Sequence, residues 1–388
     1  MTQRRSSEPV AHARFERIWE VQDAQVASGS IPGYVAAVRV GGQVELHAGG
    51  RRAVERESPP MGEDTLFRIA SVTKLIGGAL TLTLVQDGLI ALDDPVARWL
   101  PETASPRVLV APDAELDRTT EARAPITVRH LLTGTSGWGI GMADTPVRRA
   151  MLDRGVHPGP LIPKMSGDEF VARVADLPLA FQPGEGWLYD TGIDLLGVLL
   201  ARATGSQLSD LVATRITGPL GMASTTFGTS EVDRLATAYL PGPDGLEVLD
   251  PPDGDFGGPP TFEELSSGLV STASDVLRFC CAMADGGAPV LRPESVALMT
   301  ADALTDAQRQ QARPIVGPGG SWGLATGVDV EVARPWMAPG RWGWTGGTGV
   351  TAHVDPVRGT VAVLLTQRAM TGPGDGFDDF WMGVAEAA

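Results

Sequence analysis

Strand-forming segments stand at both ends of this sequence with a long helical stretch between them, and that distribution restricts the fold more than any single motif does. Near the start, "GYVAAVRVGGQVELHAGG" (residues 33–50) reads as two strands joined at Gly41-Gly42. Toward the other end, "SWGLATGVDV", "GVTAHVDP" and "GTVAVLLTQR" read as strands, the last two turning at Asp355-Pro356. Half-buried strands need a common sheet to cover their apolar faces. The reading is therefore one mixed sheet assembled from the two termini, with residues 1–80 and 260–388 in the sheet domain and 81–259 as an inserted, mostly helical domain.

Helical periodicity supports that division. Residues 8 to 28 carry Phe15, Ile18, Trp19 and Val26 on one face, interrupted only by Gln22. From Ser71 the pattern is helical again, with Leu75, Ile76, Ala79, Leu80 and Leu84 on neighbouring faces and Gly88 as a stop. In the insert, "ITVRHLLTGTSG" offers Thr127 as an N-cap, and "GIDLLGVLLARATG" is an apolar helix ending on Gly205. Residues 107–124 and 152–168 read as surface loops or lids, and "LPGPDGLEVLDPPDGDFGGPP" as a third loop. A helix around 272–285 follows, and "FDDFWMGVAEAA" closes the sequence as an amphipathic helix.

A formal net charge of −16 opposes nucleic acid and anionic membrane surfaces as partners, since both need a positive footprint. Adjacent Cys280 and Cys281 lie in an apolar helical stretch and read as small buried hydrophobes rather than a disulfide or metal ligands. The basic N-terminal stretch has no apolar core of signal-peptide length, and no run reaches membrane-spanning length, so the expectation is a soluble, cytoplasmic protein.

Positive charge is carried almost wholly by arginine. Of 31 cationic residues only Lys74 and Lys164 are lysine, and Lys74 lies three residues after Ser71 in "FRIASVTK". If Ser71 is in the first turn of a helix, Lys74 is one turn later on the same face, within reach of the serine hydroxyl. Guanidinium stays protonated, whereas a desolvated ammonium can lose its proton near neutral pH, so lysine suits proton transfer where arginine would not.

Two further stretches complete a site. "FQPGEGWLYDTGIDLLG" carries Tyr189, one of three tyrosines, just before an apolar helix. "GWTGGTGVTAHVDP" carries Trp344-Thr345-Gly346-Gly347 leading into a strand, where glycines permit close approach to backbone N–H groups. In this order the three motifs resemble the serine β-lactamase-like, penicillin-recognising hydrolases: class C β-lactamases, penicillin-binding DD-peptidases and, above all, family VIII carboxylesterases. "GLIALDDPVARWLP", "GPLGMASTTF" and "GLVSTASDV" look like further segments of that superfamily, and the resemblance covers residues 30 to 370.

The resemblance implies an α/β (α+β) fold of the class C β-lactamase type, with an antiparallel sheet formed by both chain ends, flanked by helices. It makes Ser71 the nucleophile, with Lys74 and Tyr189 sharing its proton, and the N–H groups of Ser71 and Gly347 the oxyanion hole. Trp344, Thr345, Gly346, Thr191, Trp187 and Trp138 are then expected to bind substrate. No cofactor or metal is called for. The expected partner is a small-molecule ester or lactone, and homo-oligomerisation is left open.

Two positions depart from the β-lactam enzymes. Trp344 stands where they usually have lysine or histidine, and the second motif reads Tyr189-Asp190-Thr191 where many have Tyr-x-Asn. Both changes remove expected contacts to an anionic substrate, although Arg341 could supply a cation from another angle. A neutral ester, with β-lactamase or D-Ala-D-Ala peptidase and acyltransferase as alternatives, is the resulting expectation. "GGSWG" (319–323) with Asp329 and His353 also matches an α/β-hydrolase triad order, but the strand–serine–helix context is missing. Arg68 and Asp190 read as structural charges, and Lys164 as solvated.

Overall fold

The N-terminal helix forms as α1 (Glu8–Ala27) in a computed structural model that describes residues 8–388, with side chains from Arg14 onward. The first seven residues of the basic N-terminal stretch lie outside the described residues. Next come β1 (Gly33–Val40) and β2 (Gln43–Gly50), paired from Val40↔Gln43 outward. Their turn has φ of 56° at Gly41 and 82° at Gly42, the two positive values that a two-residue hairpin compatible with strand twist requires.

A single 3₁₀ turn (Ala70–Val72) leads into α2 (Thr73–Gln86). The middle of the chain contributes α3 (Val128–Thr133) and α4 (Thr191–Thr204) among other helices. Thr127 caps α3 reciprocally with His130, and Gly205 ends α4 in the left-handed conformation, both as the sequence predicts. After α5 (Ala273–Ala284) come β3 (Gly320–Trp322), β4 (Gly327–Asp329), β5 (Trp342–Gly346), β6 (Val350–Asp355), β7 (Thr360–Thr366) and the closing helix α6 (Asp378–Ala387).

One seven-stranded sheet runs β3-β4-β5-β6-β7-β1-β2. Every pairing in it is antiparallel, which corrects the mixed sheet read from segment order alone and matches the resemblance. The two chain ends join where β1 pairs with β7, from Tyr34↔Thr366 to Val40↔Thr360. Alternation sorts the side chains: Tyr34, Ala36 and Val38 with Ala362 and Leu364 pack under α1 and α6. Val35 and Ala37 with Val361, Val363 and Leu365 face the larger core that includes α5. On α1, Phe15 and Ile18 are buried, Trp19 and Val26 half-buried, and Gln22 is buried among them. Cys280 and Cys281 are free thiols on α5.

The structure adds elements the pattern did not reveal. "SWGLATGVDV" is two short strands, β3 and β4, broken by a turn in which Ala325 has φ 60°. A hairpin (Ala238–Gly242 with Gly245–Asp250) overlaps the start of the third predicted loop, and a smaller one (Arg107–Leu109 with Thr119–Glu121) lies within the first. Helices Pro293–Thr300 and Asp306–Val316 follow α5; the second buries only Gln308 and Ala312, too little for an apolar stripe, and contains Pro314. No helix among the described residues is long and apolar enough to cross a membrane.

Arg68, read as a structural charge, fastens the segment before the serine to the Ala238–Asp250 hairpin. Its guanidinium is 3% exposed and donates to Asp250 Oδ2 (2.6 Å), Ala236 O (2.5 Å) and Pro251 O (2.8 Å). Removing one partner of such a pair leaves the other charge buried and unmatched. Arg68→Met is therefore expected to cost roughly 3–5 kcal/mol in urea unfolding, and pairing it with Asp250→Leu to restore much of that loss.

Candidate active site

Ser71 sits in the 3₁₀ turn and Lys74 in the first turn of α2, so one turn of backbone aligns them, with Nζ donating to Ser71 Oγ at 3.0 Å. Lys74 is 0% exposed. Its ammonium also donates to Ser266 O at 2.9 Å and to Asp190 Oδ1 in closer contact. All three donors of the charged form thus have acceptors. Burial pulls its pKa down, but the charges of Asp190, Tyr189 and Asp194 outweigh this and hold it above the ordinary lysine value. This direction runs against the expectation of a lysine that sheds its proton near neutrality, because a carboxylate the sequence reading left as structural lies against it.

Reciprocal backbone bonds with Ile140 (2.9 and 2.8 Å) hold Tyr189 at the mouth of α4. Its hydroxyl accepts from Trp344 Nε1 at 2.6 Å, and the nearby Ser71 side chain favours its ionised form. Burial pushes the phenol above its ordinary pKa while Lys74 pulls it down, leaving it raised on balance. The Lys74 ammonium lies 4.6 Å from the tyrosine ring centroid.

Asp190, immediately after the phenol, has φ 81° and ψ −72°, and Thr191 N–H bonds to Tyr189 O at 3.2 Å. This is the rare, strained form of γ-turn, and such a conformation costs of order 1–3 kcal/mol. Among the described residues only three non-glycines have positive φ, and Ala70 and Asp190 directly adjoin Ser71 and Tyr189. The turn is what directs the Asp190 carboxylate back onto Lys74. Behind them, Asp194 accepts Ser266 N–H at 2.9 Å and is pushed up to about 7 by burial and by Asp190; Glu264 is raised well above its usual range for the same reasons, burial first.

Gly346 allows β5 to pass against the serine segment: a Cβ there would lie 2.7 Å from Ile69 O and 3.1 Å from Ala70 Cβ. Its carbonyl accepts Gly349 N–H at 3.0 Å, which orients the shared trans peptide so that Gly347 N–H points the opposite way. Gly347 and Ser71 line the same cleft.

That cleft, about 390 Å³, is lined by Ser71, Tyr189, Trp344, Thr345 and Gly347 at one end and continues past Trp336 and Trp381. The other expected substrate contacts do not line it. Thr191 is fully buried at the start of α4, and Trp138 is in the core with its indole N–H on Leu177 O (2.9 Å). Trp187 is 3% exposed and packs behind Tyr189, ring centroids 6.0 Å apart, while Gly346 is consumed by the close approach. Trp187, Tyr189, Trp322 and Trp344 form one aromatic cluster, with Trp322 edge-on to Trp344 at 4.7 Å. Trp344 thus serves Tyr189 as well as the cleft.

Arg341 does line the cleft, but it is paired with Asp329 (3.2 Å) and stacked between Trp336 and Trp381, 4.7 and 4.3 Å from their centroids. Arg334, also lining it, is paired with Asp378. Lys164 lies elsewhere, exposed and bonded to Asp255 (2.6 Å). The alternative triad does not assemble: Ser321 donates to Asp302, and its strand is three pairings from that of His353, roughly 14 Å at ~4.8 Å per strand. His353 is half-buried beside Trp381, ring centroids 4.9 Å apart. Among the described residues no His, Cys, Asp and Glu cluster could hold a metal ion.

Fold and site together define a serine hydrolase scaffold of the β-lactamase kind. Residues 18–386 match the Beta-lactamase family, and the chain belongs to it. An uncharacterized protein of Mycobacterium tuberculosis is 37% identical over 367 residues, 90% of this chain and 88% of that one. Esterase EstB of Burkholderia gladioli is 34% identical over 382 residues, covering 92% of each. Among solved structures, EstCE1, described as a hydrolase with promiscuous acyltransferase activity, superposes with a TM-score of 0.82 at 25% identity over 97% of this chain and 99% of its own.

The Trp344 N–H on Tyr189 Oη is a contact phenylalanine cannot make. A hydrogen bond between neutral groups is worth about 0.5–1.5 kcal/mol, so Trp344→Phe is expected to lower kcat roughly 2- to 13-fold with little change in melting temperature.

Proposed function

We propose that this protein is a serine carboxylesterase that cleaves neutral, partly apolar or aryl esters, lactones included, through an acyl-enzyme on Ser71. The observation that carries the reading is the convergence of Ser71 Oγ, Lys74 Nζ and the Tyr189 hydroxyl at one end of an apolar cleft whose two guanidinium groups already have carboxylate partners. A substrate carboxylate would have to compete with Asp329 and Asp378 for those cations, which disfavours β-lactams and D-Ala-D-Ala termini. The 34% identity to an esterase over nearly the whole chain supports the same chemistry.

In this reading Ser71 Oγ attacks the ester carbonyl, and its proton reaches the leaving alkoxide by way of the Tyr189 hydroxyl, beside the Lys74 side chain. The carbonyl oxygen is received by the N–H groups of Ser71 and Gly347, donors typically worth ~3–4 kcal/mol each. Water then releases the acid by the reverse route. The similarity to EstCE1 makes an alcohol acceptor in place of water a second reading, acyl transfer on the same acyl-enzyme.

The test is a parallel assay of wild type, Ser71→Ala and Ser321→Ala on a short-chain aryl ester, an aryl lactone and a chromogenic cephalosporin, with and without an added alcohol. Ser71→Ala is expected to lower ester turnover by at least ~10³-fold while Ser321→Ala keeps most of it. A cephalosporin turned over faster than the esters would overturn the neutral-substrate reading. Ester product formed on the added alcohol in preference to acid would favour the transferase.

A further inference from the structure

Three acceptors surround Lys74 Nζ: Ser71 Oγ (3.0 Å), Ser266 O (2.9 Å) and Asp190 Oδ1. An ammonium satisfies all three. A neutral amine could still bond all three, its lone pair taking the Ser71 O–H, but it would leave the buried Asp190 carboxylate without a countercharge. We propose that Asp190 is a positioning residue that keeps Lys74 an ammonium throughout the working pH range, so that Lys74 stabilises charge on Ser71 while Tyr189 alone carries the proton.

The charges around the lysine single out Asp190. Asp194, on the same helix, and Glu264, before the strand that follows Ser266, both hold protons more tightly than usual, Asp194 to about 7. At and below neutrality Asp190 is thus the carboxylate that supplies countercharge in direct contact, and above it Asp194 ionises and favours the ammonium further. Tyr189 is a neutral phenol across this range, and His157, whose imidazole senses Asp190, is kept neutral by burial. Asp190 also stands where glycine would be free of strain, so the carboxylate is present against the backbone's preference.

The step balances without a free amine. Ser71 Oγ bonds to the acyl carbon as its proton moves to Tyr189 Oη; the phenol's own proton moves to the alkoxide oxygen as the ester C–O bond breaks. Trp344 N–H steadies the phenol oxygen meanwhile. In deacylation water loses its proton to Tyr189 Oη as the phenol's proton returns to Ser71 Oγ. Lys74 keeps its three protons and Asp190 its charge throughout.

The kinetic arm of the test rests on the esterase reading; the charge state of Lys74 does not. With only two lysines in the chain, ε-¹³C-lysine labelling yields two NMR signals, and exposed Lys164 is an internal reference. In the wild type, the Lys74 signal is expected not to titrate until above the Lys164 midpoint. In Asp190→Asn the countercharge is gone, burial dominates, and Lys74 should titrate below Lys164. Asp190→Gly, which relieves the turn, should shift it the same way. The freed amine can then act as a base, so Asp190→Asn should raise the activity of Tyr189→Phe by roughly tenfold or more, rising with pH through the new Lys74 midpoint.

A wild-type Lys74 that titrates below Lys164, or a midpoint unmoved in the Asp190 variants, overturns the inference; if neither variant folds, the wild-type titration decides. The expected titrations with no rescue of Tyr189→Phe would retain Asp190 as the charge-setting residue and overturn the statement that it withholds Lys74 from proton transfer. The expected titrations in a protein without esterase activity would refute only the functional reading.

Discussion

A fully buried ammonium one helical turn after Ser71 is the constraint that orders this site. Desolvating such a charge costs several kcal/mol unless a partner and further acceptors compensate. The compensation comes from three separate parts of the chain: Ser71 on the same turn, Ser266 from the loop before the third-motif half of the fold, and Asp190 from the strained turn that opens α4. Helices and loops distant in sequence are thereby held at one point, and the strain at Asp190 is opposed by the ion pair that it makes available.

The same economy governs the remaining polar groups. Trp344 replaces a cation at the start of the third motif, and its only donor is committed to the Tyr189 oxygen. The aromatic cluster of Trp187, Trp322 and Trp344 then encloses the phenol, and burial pushes its pKa up. Farther along the cleft, Asp329 and Asp378 match the two arginines. The charges along the cleft are thus matched in pairs, in keeping with the uncharged substrate proposed.

Much of this was legible before folding. The apolar, β-branched runs "GYVAAVRV" and "GTVAVLLT" report strands, and those strands do pair, β1 against β7. Thr127, Gly205 and Gly41-Gly42 act as cap, stop and turn because their chemistry is local. Helix Asp306–Val316 was not legible, since it buries too few apolar side chains to leave a period. Trp138 and Trp187 were misplaced because an indole near a motif in sequence carries no sign of which side of the wall it occupies. Asp190 carried a signal that could have been used: a buried lysine needs a carboxylate, and one stood beside Tyr189.

The sequence alone determined the parts that depend on neighbours within a turn or two, namely the strands and their turns, the helix caps, and the Ser71–Lys74 pair on one helical face. It also carried the order of three motifs that identifies the family. Tertiary structure decided what depends on distance through space: that Asp190 faces Lys74, that Trp344 serves Tyr189, and that Arg341 is neutralised by Asp329. Charge state and access to the cleft follow from which groups are desolvated together, and that is settled only when residues over a hundred positions apart, such as Lys74 and Asp190, come into contact.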